Sequence, residues 1–333
     1  MRAVVITKAG GPEVLQLREV PAPQPAAGEI LVRVRAAGVN RADILQRMGQ
    51  YPAPPGAPAD IPGLEYAGEV AALGTGARAW KAGDRVMGLV PAGGYAERVT
   101  VNESVALRVP SAWSFEQAAA VPEAFITAHD ALFRQMQLRA GERVLIHAVG
   151  SGVGTAALQL ASAFGARTFG TSRSAAKLER ARALGLEVAI DTSRENFAEV
   201  VKRHTGGEGV DVVLDLVGGP VLAGSIQALS RGGRMIVVGL TGGRSAPIDL
   251  GAVLSKRLTI VGTVLRARTL EEKIAVTSHF AAEVLPLFEG DIVRPVVERS
   301  YPLAQAAEAH RLLESDAVFG KLVLLCDETS AGG

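Results

Sequence analysis

The strongest constraint on this chain is a glycine turn set between an apolar run and a helical stripe. Residues 144–148 carry no charge and lead directly into His147-Ala148-Val149-Gly150-Ser151-Gly152-Val153-Gly154-Thr155. Beyond the turn, Val153, Ala157, Leu160, Ala161 and Phe164 lie at offsets 0, 4, 7, 8 and 11, the spacing of one helix face that packs on a sheet. Glycines let a backbone bend tightly and approach a pyrophosphate, while the unpaired amides and dipole of a helix N-terminus hold negative charge. Strand, glycine turn and helix in that order predict a dinucleotide site, with Gly150, Ser151, Gly152 and Val153 against the phosphates.

The same alternation continues downstream. Apolar runs at 167–171, 187–190, 210–215, 234–239 and 258–262 are separated by Ala-rich helical stretches. With the first strand they predict a six-stranded, doubly wound parallel sheet, hence an α/β fold. Ligands of such sheets bind beyond the carboxyl ends of the strands. The loops at 215–218, 239–241 and 263–266 are therefore further cofactor candidates, with Gly239, Leu240, Thr263 and Leu265 among them.

The end of the second strand bears on which dinucleotide binds. A site that prefers NAD places an acidic side chain there for the ribose hydroxyls, but no Asp or Glu occurs between Gly150 and Glu179. The strand end reads Thr171-Ser172-Arg173, with Lys177 one helical turn later. Hydroxyls and two cations suit a 2′-phosphate, because a hydrogen bond to a charged group contributes about 1.5–3 kcal/mol. Ser172, Arg173 and Lys177 thus predict NADPH over NADH; the competing reading of the two cations is a solvated helix start.

Domain organisation follows from texture. Eleven of the 17 prolines fall in the first 110 residues, among short β-branched runs at 30–34 and 68–73, which predicts a β-rich domain. The strand and helix alternation begins near residue 119. After residue 264 a helix at 269–289, a strand-like run at 294–297, a helix at 303–315 and a last strand at 321–325 are expected. A length of 333 residues accommodates two domains. Hydrophobic residues at 48% and a net charge of +1 exclude extensive disorder and a broad basic nucleic-acid surface. The 23 residues 144–166 carry no charge, and that length reaches across a bilayer. Their glycines and change of period favour strand, turn and helix, so neither a membrane span nor a signal-peptide core is expected. The lone cysteine, Cys326, excludes an internal disulfide or a cysteine-built metal cluster and fits a cytoplasmic location.

Metal chemistry is disfavoured by two substitutions. Gly63-Leu64-Glu65-Tyr66-Ala67-Gly68, followed by Gly74, has the shape of the zinc alcohol dehydrogenase signature, with Leu64 where a histidine would bind zinc. Asn40 stands where a ligand cysteine is usual, and a leucine and an amide leave no Lewis acid to polarise an alcohol. The five histidines, at 129, 147, 204, 279 and 310, show no ligand spacing and read as structural or surface residues. No metal site is expected.

Taken together, these residues resemble the zinc-independent medium-chain dehydrogenase/reductase superfamily, within it the zeta-crystallin-like quinone oxidoreductases, and most of all their stress-inducible subfamily. The likeness is carried by Asn40-Arg41-Ala42-Asp43 with Gly49-Gln50-Tyr51-Pro52, by residues 120–128, by the 147–155 turn and by residues 263–268. The resemblance implies a GroES-like β-barrel catalytic domain at 1–118, a Rossmann NADPH-binding domain at 119–262 and a return segment at 263–333 that completes the first. It implies Asn40, Tyr51 and Thr127 around the nicotinamide, Ser151 to Val153 on the pyrophosphate, Ser172 and Lys177 near the 2′-phosphate, and Lys321 close to the cofactor. Arg173 is added on charge alone. Where the family often has Asn-Tyr after the third strand, this chain has Asp191-Thr192, which removes a tyrosine contact near the adenosine. A homodimer through edge strands near 255–265 is also implied.

The expected reaction is hydride transfer from NADPH to a quinone. Quinones are electrophilic without a metal, so the protein need mainly align the partners and stabilise the developing oxyanion. Tyr51 is the candidate donor, with packing over the cofactor as its alternative role, and Asn40 shapes the site as a neutral donor. The alternatives are reduction of an enone or enoyl double bond, and a catalytically idle NADPH-binding sensor or structural protein.

Overall fold

The computed structural model describes residues 1–326. The chain divides into two compact units, Met1–Ile126 with the chain from Leu265 onward, and Thr127–Val264.

The second unit is built on a six-stranded parallel sheet. Its spatial order is Val188–Asp191, Arg167–Ser172, Arg143–Ile146, Val210–Asp215, Leu229–Val237 and Thr259–Gly262. Counted along the chain that order is 3-2-1-4-5-6, the doubly wound arrangement. The strands are rich in Val and Ile because helices cover both faces of such a sheet. Leu145, Phe169, Ile190, Val201, Val213 and Met235 form one buried cluster. The fifth strand starts at Leu229, earlier than the expected 234, because pairing with the fourth strand slips between Val210 and Val212. That irregularity takes up Gly232-Gly233, with Gly232 at φ 74°, and lets the ladder extend past two glycines.

The first unit is organised around the long strand Glu29–Val39. It pairs with Glu65–Leu73, with Arg98–Asn102 and, on its remaining length, with the C-terminal strand Lys321–Leu325. The register Leu322↔Val39 brings Lys321 beside the end of the long strand, where the helix Arg41–Arg47 begins. The strand-like run expected at 294–297 lies instead at Val297–Pro302, parallel to Lys321–Leu325. Pro295 has no amide hydrogen to join a ladder, so pairing begins beyond it. The helix expected at 269–289 is two helices, Leu270–Glu283 and Leu285–Glu289, since Pro286 interrupts the hydrogen-bond ladder. Residues 119–126 belong to this first unit, eight residues beyond the boundary expected after 118. The amide of Glu123 donates to the Glu65 carboxylate at 2.7 Å, and Phe125 packs edge-on to Phe288 at 5.1 Å between ring centres. These contacts outweigh the change of composition at 119.

Candidate functional site

In the second unit, the glycine turn joins the strand Arg143–Ile146 to the helix Gly152–Ala163. Ala148 adopts a left-handed conformation at φ 49°, and Ser151 caps the helix by accepting from the Gly154 amide at 3.1 Å. A side chain at Gly154 would place its Cβ 2.5 Å from the Ala148 carbonyl oxygen, so the third glycine is required by the close approach of helix to turn. Among the described residues nothing accepts from the amides of Gly152 and Val153. Two unpaired donors at the start of a helix form a ready anion site, and they fit a pyrophosphate.

The 2′-phosphate candidates lie at the end of the next strand. Ser172 is half-buried, Arg173 exposed and Lys177 half-buried. Ser172 Oγ accepts from the Ser174 amide at 3.1 Å, and Ser174 caps the helix Ala175–Arg182 that carries Lys177. Asp191 pairs in register with Ser172 on the neighbouring strand, and its carboxylate is engaged with Ser193. Of the remaining candidates here, Gly239 donates its amide to Asp215 O at 3.2 Å, Leu240 is exposed, and Thr263 Oγ1 accepts from Gln135 at 2.8 Å. Thr127 is buried. His147 is locked between Thr171 Oγ1 at 3.0 Å and Ser225 Oγ at 2.9 Å. Burial holds its pKa down at about 3, so the ring stays neutral and structural.

In the first unit, the buried Glu65 and Lys321 form one cluster with the half-buried Asn40. Lys321 Nζ donates to Glu65 Oε1 at 2.6 Å, Asn40 Oδ1 at 2.5 Å and Val39 O at 3.1 Å. An ammonium group has three hydrogens, and all three are used. Asn40 Nδ2 in turn donates to Glu65 Oε1 at 2.8 Å. Lys321 therefore has its three hydrogens engaged within the protein, as the Asn40 side chain is with Lys321 and Glu65. With Glu65 the two residues build a floor in which a lysine and a carboxylate lie beside the positions, Asn40 and Leu64, that depart from the zinc signature. Leu64 itself is buried. Among the described residues no group of three or more His, Cys, Asp or Glu side chains could hold a metal ion.

Tyr51 sits half-buried on the loop after the helix Arg41–Arg47. Arg266 holds that loop, donating to Tyr51 O at 3.0 Å, Pro91 O at 2.6 Å and Gln46 Oε1 at 2.5 Å, with its guanidinium 4.9 Å above the Tyr51 ring. Burial raises the Tyr51 phenol above its usual pKa, which suits a hydrogen-bond donor. The 263–266 segment, expected as a cofactor loop, thus contributes Arg266 as a clamp, with Leu265 buried next to it.

Sequence reasoning missed a further polar chain beneath the floor. Asp43 accepts from the Asn40 amide at 2.8 Å, the Gly63 amide at 3.1 Å and Tyr95 OH at 2.9 Å. Tyr95 OH also meets His310 Nε2 at 3.1 Å, and His310 Nδ1 accepts from Arg47 at 3.2 Å. Burial raises the Asp43 pKa to about 6, and burial with the Arg47 charge lowers that of His310 to about 3. Glu65 was visible only as a signature letter and Glu123 only inside a motif; neither has a periodicity or spacing that would mark it.

The profile of the alcohol dehydrogenase GroES-like domain matches residues 26–111, and that of the zinc-binding dehydrogenase family matches residues 152–281. The quinone oxidoreductase of Rattus norvegicus is 35% identical, over 98% of each chain. A solved Escherichia coli quinone oxidoreductase complexed with NADPH superposes with a TM-score of 0.88 at 34% identity, covering 98% of this chain and all of the other. A structure described as an NAD-dependent alcohol dehydrogenase superposes with a TM-score of 0.89 at 35% identity, covering 98% of this chain and all of the other.

Proposed function

Because the chain belongs to the quinone oxidoreductase family of the medium-chain dehydrogenases/reductases, we propose that it is an NADPH-dependent quinone reductase working without zinc. The GroES-like first unit is the catalytic one, and the Rossmann unit binds the cofactor. NADPH fits the amides of Gly152 and Val153 and the Ser172, Arg173 and Lys177 end of the sheet, and when bound it supplies the hydride. Tyr51 donates to the acceptor oxygen, held by the Arg266 clamp, while Asn40 keeps the floor in shape.

The observation that carries this reading is the lysine cation in the floor. Lys321 is paired with Glu65 at 2.6 Å beside residues that cannot ligate zinc. A site whose cation is a saturated ammonium cannot polarise an alcohol as a metal does, but it suits an acceptor that is already electrophilic. This sets the chain apart from an NAD-dependent alcohol dehydrogenase despite the shared fold.

The test is steady-state turnover with NADPH and NADH against a panel of quinones, enones and simple alcohols, with metal analysis of the purified protein. Quinone reduction favouring NADPH by tens of fold, with no stoichiometric zinc, is the expected result. Preference for enones shifts the substrate class within the same chemistry, and zinc-dependent alcohol oxidation overturns the proposal.

No helix is long and apolar enough to cross a membrane among the described residues, and a cytoplasmic location is part of the reading. So is a homodimer. Among the described residues the strand Thr259–Gly262 ends the sheet and pairs on one side only. The adjacent helix Leu250–Lys256 has no buried residue, with Leu250 69% and Leu254 79% exposed. An apolar helix beside an open edge is the surface a second copy would cover, and sedimentation should read twice the chain mass.

A further inference from the structure

One ionisable side chain near Tyr51 has no task in the proposed reaction. Glu123 lies in the helical turn Pro122–Ile126, half-buried, with its amide fixed on Glu65 Oε2 at 2.7 Å. Both oxygens of the neighbouring carboxylate are engaged: Glu65 Oε1 takes Lys321 and the Asn40 side-chain amide, and Oε2 takes the backbone amide of Glu123. Lys321 has no hydrogen left over. The Glu123 carboxyl, by contrast, accepts no hydrogen bond from any described residue, and it is near enough to Tyr51 and Arg266 to act on their charge. A half-buried carboxyl without a hydrogen-bond partner among the described residues, within electrostatic reach of the candidate oxyanion donor, is able to exchange a proton with what that donor binds.

We propose that Glu123 is the general acid of the reaction, delivering the second proton of the hydroquinone while Tyr51 only hydrogen-bonds the acceptor. The assignment rests on the quinone reductase activity proposed above. The quinone gains two electrons and one proton as hydride. The Glu123 O–H bond then breaks, its proton forms the second hydroxyl, its electron pair stays on the carboxylate, and water reprotonates Glu123 before the next turnover.

The electrostatics agree with this division of labour. The charged groups that act on Glu123 are Glu65, Lys321, Asp43 and Arg266, and Glu123 acts in turn on Tyr51. Burial, reinforced by the Glu65 charge and opposed by Lys321 and Arg266, raises its pKa to about 8. An acid poised near the working pH transfers protons best, and the Tyr51 phenol, raised above its usual value, is a poor proton source by the same rule.

The experiment combines kinetics with direct titration. In the wild type, kcat/KM for 1,4-naphthoquinone should fall above about pH 8. Glu123→Gln should be about 100-fold slower at pH 7 and lose that limb, while NADPH affinity, read by fluorescence without quinone, stays within about two-fold. Tyr51→Phe should slow the reaction but keep the limb. In protein labelled with carboxyl-13C glutamate and free of ligands, the Glu123 resonance, assigned with Glu123→Asp, should titrate near pH 8. A Glu123→Gln variant with unchanged rate and profile overturns the role of Glu123 alone. A titration midpoint below pH 6 does so even where the glutamine variant fails to fold. A wild type that titrates near pH 8 but turns over no quinone overturns the function reading, and the acid role with it.

Discussion

The glycine turn at 150–154 and the Lys321 floor are assembled in opposite ways. The turn is contiguous: its cap, its unpaired amides and its required glycine all come from residues 148–154. The floor draws Asn40, Glu65, Glu123 and Lys321 from four separate segments, one of them arriving on the C-terminal strand. The turn is therefore tolerant of change elsewhere, whereas the floor stands only when the long strand, its neighbour and the returning strand are all in register. Local geometry makes a site readable; long-range pairing makes it dependent on the whole unit.

That contrast can be broken most sharply at Lys321. Lys321→Met removes the partner of a carboxylate that is fully buried, and breaking a buried pair from one side costs about 3–5 kcal/mol. Urea unfolding should show that loss. A loss under 1 kcal/mol would mean the floor relaxes and water reaches Glu65.

Acid acts on both regions. His147 lies beneath the turn and His310 beneath the floor, and each is held neutral with a pKa of about 3 against an ordinary 6.5. The unfolded chain takes up a proton near 6.5 that the native rings refuse, so their contribution is complete above that pH and is lost as pH falls toward 3. At pH 5 the cost is about 2 kcal/mol per ring, measurable as the drop in unfolding free energy between pH 7 and 5. His147→Gln should remove about half of it.

At the cofactor end, Arg173→Ala with Lys177→Ala should lower kcat/KM for NADPH by tens of fold, about 2 kcal/mol, and leave NADH nearly unchanged. Equal losses for both cofactors would return the two residues to a solvated helix start. The smallest effect belongs to Ser151→Ala. It removes the cap on the Gly154 amide, about 1 kcal/mol of stability, and should weaken NADPH binding measured by fluorescence without disturbing Tyr51.

Legibility in the sequence follows the same division. The strand Val210–Asp215 and the strand Lys321–Leu325 stand where their apolar runs placed them, and the helix Gly152–Ala163 differs from its stripe by one residue at each end. Errors gathered at prolines and glycines, at Pro286, Pro295 and Gly232-Gly233, where a single residue changes the hydrogen-bond ladder without changing the hydrophobic pattern. Asn40, Tyr51 and Lys321 were reachable by resemblance, but their partners were not. Nothing in the letters around Asp43, Tyr95 and His310 announces a buried chain across 52 and 215 residues of separation.

The amino-acid order alone determined the parallel sheet, the glycine turn that opens the helix Gly152–Ala163 and the residue types at positions 40 and 64, because each depends on residue type and spacing within a short stretch. Only the tertiary structure decided that Lys321 uses every hydrogen on Asn40, Glu65 and Val39, that Arg266 clamps the Tyr51 loop, and that Glu123 is left as the unpartnered acid. Those outcomes depend on which strands pair and in what register, and burial then sets the charge states that the pairing brings together.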